Sequence, residues 1–229
     1  METSTNFILY LHIAAGSISL VLFWLPVINK KGGKAHSNIG KAYVMAMWIV
    51  VFTALALSIK NLFIQNYIAA AFLGFLSVLT SAPLWYAKAI LNHKKEISRS
   101  YFNRFKALHT VIFFMATGLV IWSVLLKVQD NAILLLIFGI LGMTSFGDAF
   151  SNYHKIRARE TWIVTHLRGM LSTGIAAYTA FFAFGGRQFL GNILTDQWMV
   201  IPWVLPSIIG VLGIRYWTKK FTKRQVATA

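Results

Sequence analysis

Apolar residues are gathered into seven long runs, separated by short polar gaps. Each run is close to the ~20 residues that a helix rising about 1.5 Å per residue needs to cross a hydrocarbon core. The runs lack the alternating pattern of barrel strands, and lipid offers backbone groups no partner. The sequence therefore predicts an all-α, polytopic transmembrane helix bundle. Its seven predicted spans are Phe7–Ile28, Ala42–Ile59, Ile68–Tyr86, Leu108–Leu126, Ala132–Phe150, Trp162–Phe184 and Met199–Trp217.

Basic residues fall almost entirely at alternate ends of these runs. Of the 22 Lys and Arg residues, 18 lie after the first, third and fifth runs or at the end of the last one. The opposite gaps hold only Lys60, Lys127 and Arg187, and Arg168 lies within the sixth run. The positive-inside rule then predicts an N-terminus outside and a C-terminus inside the cytoplasm, in a multi-pass protein of the cell inner membrane.

The charge and composition narrow the classes of partner and cofactor. The formal net charge of +16 is divided among short loops, so we expect anionic lipid headgroups as its counterpart and no nucleic acid. A chain without cysteine must hold any metal or cofactor through His, carboxylate, Met or Tyr. No linker divides the chain, so residues 1–229 are predicted to form a single membrane domain. The polar N-terminal residues lack a basic segment, and we expect the first span to be retained.

Ionisable residues within or beside the spans are the candidate functional groups, because a charge or an unpaired imidazole is costly in hydrocarbon. They are His12, His36, His109, Asp148, His154, His166 and Arg168. The predicted orientation gathers four of them near the cytoplasmic face, namely His36, His109, Asp148 and His166. His12 belongs to the outer part of the first span, and His154 to a cytoplasmic loop.

Two kinds of site are compatible with this set. His109 and His166, on separate spans at similar depth, predict a pair of axial ligands for a b-type haem. A Zn²⁺ or Fe ion would instead use three nitrogen or oxygen ligands and leave a position for water. Its predicted ligands are His36, His109, Asp148 and His166. Arg168 lies nearly opposite His166 on the helix, so we expect the two residues to contact different neighbours. A buried arginine needs an anion, and Asp148 is the only acidic residue at comparable depth, so we expect Arg168 and Asp148 to form an ion pair. The alternative is that each imidazole is bonded to a neighbouring carbonyl for structural reasons alone.

Two stretches resemble a known family. Residues 11–17 (Leu-His-Ile-Ala-Ala-Gly-Ser) and 31–44 (Lys-Gly-Gly-Lys-Ala-His-Ser-Asn-Ile-Gly-Lys-Ala-Tyr-Val) form the first predicted hairpin. Residues 166–170 (His-Leu-Arg-Gly-Met) and 174–181 lie in the sixth span. Both stretches are similar to an uncharacterised family of predicted bacterial multi-span membrane proteins with a domain of unknown function. The resemblance implies a membrane location and draws attention to His12, His36 and His166 without naming a reaction.

Three classes of function remain open from the sequence. The first is a membrane redox or metal-dependent enzyme that uses the cytoplasmic-side imidazoles as ligands. The second is a proton-coupled transporter, in which ionisable residues relay charge. The third is a non-catalytic assembly or scaffold subunit.

Overall fold

A computed structural model of the chain describes residues 2–95, 97–125, 135–144, 146–147, 162–186, 198 and 200–226. Within these ranges the regular structure is entirely helical, without a strand, which confirms the predicted all-α class. The helices are α1 (Glu2–Ile28), α2 (Lys34–Phe63), α3 (Tyr67–Ala89), α4 (Arg99–Leu125), α5 (Leu135–Thr144), α6 (Trp162–Ala180) and α7 (Val200–Val226). A 3₁₀ turn, Ile90–Asn92, follows α3, and a π-helical turn, Phe181–Gly185, follows α6.

Four stretches of the described chain are long and apolar enough to cross a membrane. They are Asn6–Ile28, Lys34–Phe63, Tyr67–Asn92 and Arg99–Leu125, and they contain the first four predicted spans apart from one terminal residue of the fourth. Large apolar side chains on these helices, such as Phe52 and Phe114, are exposed. Soluble monomers rarely expose extended apolar surfaces of this kind. The helices therefore indicate a membrane protein.

Helix α3 is the centre of the bundle. It packs against α2, α4 and α6, and α6 in turn packs against α7 and α1. Helices α1, α2 and α3 alternate in direction, since His36 near the start of α2 is bonded to the Pro26 carbonyl near the end of α1, and the Ser58 hydroxyl late in α2 donates to the Ala70 carbonyl early in α3, at 2.6 Å. The end of α3 in turn meets the start of α4 at Trp85 and Tyr101, and the start of α6 at Ala87 and His166. A core of Phe72, Phe75, Ile112, Leu135 and Phe138 fills the space between α3, α4 and α5.

The antiparallel order gathers one set of helix ends, which we call the basic end of the bundle. It comprises the last turns of α1, α3 and α7 and the first turns of α2, α4 and α6. Lys31, next to α1, has its ammonium group 5.6 Å from the ring centre of Trp217, near the end of α7. The sequence carries most of its basic residues in the segments adjoining this end, so the charge pattern and the helix packing agree.

Candidate functional site at the basic end

His36 lies in the first turn of α2 and is bonded to the end of α1. Its Nδ1 atom is 3.1 Å from the carbonyl oxygen of Pro26. The same oxygen accepts a 2.8 Å bond from the Lys31 ammonium, which also donates to the carbonyl of Val27. The last carbonyls of a helix lack intrahelical donors and carry a partial negative charge. The α1 terminus therefore holds both the imidazole and the ammonium group in place.

His166, in the second turn of α6, faces His36. Its Nδ1 atom is 2.8 Å from the carbonyl oxygen of Ala87, near the end of α3. The two imidazole ring centres are 6.5 Å apart, with an interplanar angle of 69°. Side chains 130 positions apart in the sequence thus meet where α1, α2, α3 and α6 converge.

His109 lies at the same end but has different neighbours. It is 5% exposed, and its Nδ1 atom is 2.8 Å from the carbonyl oxygen of Phe105, one turn earlier in α4. Its ring centre is 4.2 Å from that of Phe105 and 5.8 Å from that of Tyr86. Tyr86 also touches α6, since a Cβ atom added at Gly169 would lie 2.6 Å from Tyr86 Cε2. The Tyr86 ring is therefore packed against both the predicted haem ligand His109 and the backbone of the helix that carries His166.

The three imidazoles share one hydrogen-bonding pattern. In His36, His109 and His166 the Nδ1 atom faces a backbone carbonyl, which can only accept a hydrogen bond. In the neutral ring Nδ1 therefore carries the hydrogen, and Nε2 keeps a lone pair. Metal-ligating histidines in proteins are commonly oriented in this way, with the second ring nitrogen donating to a carbonyl or carboxylate. The same tautomer also lets Nε2 accept a proton.

The residue before His166, Thr165, has a buried hydroxyl without a hydrogen-bond partner among the described residues. Thr165 is 2% exposed, and its Oγ1 atom is the one buried side-chain oxygen or nitrogen without a hydrogen bond in the described part of the chain. A buried hydroxyl without a partner costs about 1–3 kcal/mol, so such groups usually bind a water molecule or a ligand. Sequence reasoning missed Thr165, because a threonine in a span is ordinarily bonded to its own helix.

Arg168, two residues after His166 in α6, contacts α7. Its Nε atom is 3.4 Å from the hydroxyl oxygen of Thr218 on α7. The predicted partner Asp148, like His154, lies outside the described residues. The Asp148–Arg168 ion pair therefore stays a prediction.

His12 is far from these groups. It lies 14 positions before Pro26, or about 20 Å along α1. Its Nδ1 atom is 2.9 Å from the hydroxyl oxygen of Thr53 on α2. The Thr53 hydroxyl in turn lies 2.6 Å from the carbonyl of Ile49 and donates to it, so the imidazole is the donor to Thr53. His12 thus links α1 to α2 in the opposite half of the bundle.

The described ranges contain no group of three or more His, Asp or Glu side chains arranged to hold a metal ion. What they contain is the pair His36 and His166, with the Thr165 hydroxyl next to His166 in the chain. The chain has no match among protein-family models, curated proteins or solved structures. Any inference about function must therefore be drawn from this arrangement itself.

Proposed function

We propose that the protein is a seven-span protein of a cell inner membrane whose basic end faces the cytoplasm. We further propose that His36 and His166 bind a Zn²⁺ or Fe ion there, as the centre of a metal-dependent or redox activity. The observation that carries this proposal is the pairing of two imidazoles whose Nδ1 atoms are both held by carbonyls. The proposed orientation is supported by the 18 basic residues that lie after the first, third and fifth apolar runs and at the end of the last run.

The ring separation is compatible with a shared ion after a small movement. Zn²⁺ binds imidazole nitrogen at about 2.0–2.1 Å, which would bring two ring centres to roughly 5–6 Å from each other. The observed separation is 6.5 Å. His36 lies in the first turn of α2, where a small shift requires little repacking. Two imidazoles leave room for a further ligand and water, and Asp148 stays the predicted further ligand.

A haem between His109 and His166 has less support. Two axial imidazoles must face each other across the porphyrin plane. Tyr86 packs on the His109 ring and on the α6 backbone at Gly169, so the contacts of this region do not place His109 opposite His166. The arrangement of the basic end therefore favours a single ion bound by His36 and His166.

The second candidate is a proton-coupled carrier. It is favoured by the pairing of the two imidazoles, because each has its Nδ1 atom facing a carbonyl, so that the neutral form of each ring keeps a lone pair at Nε2. Such a pair can accept a proton at Nε2 of either ring.

Metal content per chain tests the proposal. The purified full chain is equilibrated with Zn²⁺, or anaerobically with Fe²⁺, passed through a desalting column and analysed by mass spectrometry for bound metal. We expect about one ion per chain in the unmodified protein, and loss of most of it in His36→Ala and in His166→Ala. His12→Ala is the matched control, because it removes an imidazole from the other half of the bundle, and it should keep the ion.

The other possible results of this experiment distinguish between haem, a proton carrier and a scaffold subunit. A Soret band in the unmodified protein, lost in His109→Ala and His166→Ala, would favour haem over the single ion. Protein without metal or haem would exclude both. Proton uptake into vesicles that depends on His36 and His166 would then support the carrier, and its absence would leave a scaffold subunit.

A further inference from the structure

Trp217, in the second half of α7, has two ammonium groups from distant parts of the chain close to its indole ring. The Nζ atom of Lys31 is 5.6 Å from its indole ring centre, and the Nζ atom of Lys220 is 4.9 Å from it. Lys220 also lies 5.9 Å from the ring centre of Tyr216. Each contact is a cation–π interaction, which is worth about 0.5–1 kcal/mol at an exposed position. Two positive groups are thus held around a single aromatic ring at the basic end.

The segments that supply these groups contain no counter-charge of their own. Residues 3–95 and 197–229 include neither Asp nor Glu. Burial lowers the pKa of Lys31, because desolvation disfavours its charged form. An anion bound next to both ammonium groups would stabilise the charged form of Lys31.

Lys31 donates two hydrogen bonds among the described residues, which leaves one donor of its ammonium group unused there. An ammonium group has three hydrogen atoms to donate, and Lys31 uses two of them on the carbonyls of Pro26 and Val27. These two bonds fix the ammonium group in position, so it is preorganised to donate the third to an anion.

The position of the cluster indicates which anion. Indole rings favour the boundary between headgroups and acyl chains. On α7, Leu212 and Tyr216 are 59% and 61% exposed, so apolar surface adjoins the charged cluster. A molecule with a phosphate next to acyl chains matches this combination of charge and apolar surface better than a free ion does.

We propose that the phosphate of an anionic phospholipid binds beside the Trp217 ring, where the ammonium groups of Lys31 and Lys220 donate to it. This site is separate from the paired imidazoles, although Lys31 and His36 donate to the same carbonyl of Pro26. Metal content does not report on it, so the two proposals can fail independently.

Native mass spectrometry of the full chain, titrated with phosphatidylglycerol in detergent micelles, tests this site. Lys31→Gln and Lys220→Gln should each weaken lipid binding about fivefold, the effect expected for one lysine at an anionic surface. Lys41→Gln is the matched control, because Lys41 is an exposed residue in the early part of α2 and the substitution removes the same charge. It should bind the lipid as the unmodified protein does.

Three results would overturn the proposal. An equal loss in Lys41→Gln would show that diffuse surface charge attracts the lipid. Displacement of the lipid by inorganic phosphate would show a site for the free anion. Unchanged binding in both Lys31→Gln and Lys220→Gln would show that these lysines do not form a lipid site. If Lys31→Gln does not fold, Lys31→Arg, which keeps the charge and the donors, should fold and bind the lipid, and failure to bind would contradict the assignment.

Discussion

The contact between α3 and α6 can be tested at Gly169, the residue that lets the two helices approach. A Cβ atom at this position would lie 2.5 Å from Ala87 Cβ, 2.6 Å from Tyr86 Cε2 and 2.9 Å from the carbonyl oxygen of Pro83. Ala87 and Pro83 offer no flexible side chain that could move aside. We therefore predict that Gly169→Ala pushes α6 away from α3 and weakens the bond from His166 to the Ala87 carbonyl.

The magnitude follows from three terms. Overpacking of this kind costs about 1–3 kcal/mol. Weakening a hydrogen bond between membrane helices costs up to about 1 kcal/mol more. Replacing glycine by alanine within a helix stabilises the folded state by about 1 kcal/mol through helix propensity. These terms sum to a net loss of up to about 3 kcal/mol in the free energy of unfolding, against the gain expected from helix propensity alone.

The matched control is Gly118→Ala in α4, where an added Cβ would meet nothing within 4 Å. That variant should gain about 1 kcal/mol from helix propensity alone. Thermal unfolding of both variants in the same detergent compares their stabilities, and the ¹⁵N chemical shift of His166 Nδ1 reports on its hydrogen bond. Equal stabilisation by the two substitutions, with an unchanged His166 signal, would refute the close approach of α3 and α6 on which the site geometry rests.

Two further predictions concern the membrane and the ion pair. Reporter fusions after Lys95 and at the C-terminus should both be cytoplasmic, because the basic segments are retained on that side; an exported reporter at either position would contradict the proposed orientation. Asp148→Asn and Arg168→Gln should each lower thermal stability more than the double variant does, with a coupling of about 1–3 kcal/mol, because one unpaired buried charge costs more than none. Additive losses in this double-mutant cycle would show that the two residues are not partners.

Part of the candidate site could be predicted from the sequence, because imidazoles in apolar runs are few and their depth in the membrane follows from helix geometry. His36 and His166 were predicted to lie at one membrane face, and the structure brings their rings together. The contact between His109 and Tyr86 could not be predicted from the sequence, because the side chain that faces a given residue depends on how each helix is rotated. Nothing in the sequence singled out Tyr86 as a site residue, because a tyrosine near the end of an apolar run is common at a membrane boundary.

The sequence by itself determined the helical class and the division of the charges, because both depend on local composition. A run of apolar residues must be helical in lipid whatever it contacts, and the loop charges need no partner to act as orientation signals. Only the tertiary structure decided which groups meet. The Nδ1 bonds to Pro26 and Ala87 and the ammonium groups beside Trp217 all depend on helix rotation and on close approach of the helices. Those features are set by packing between distant segments, which sequence spacing does not encode.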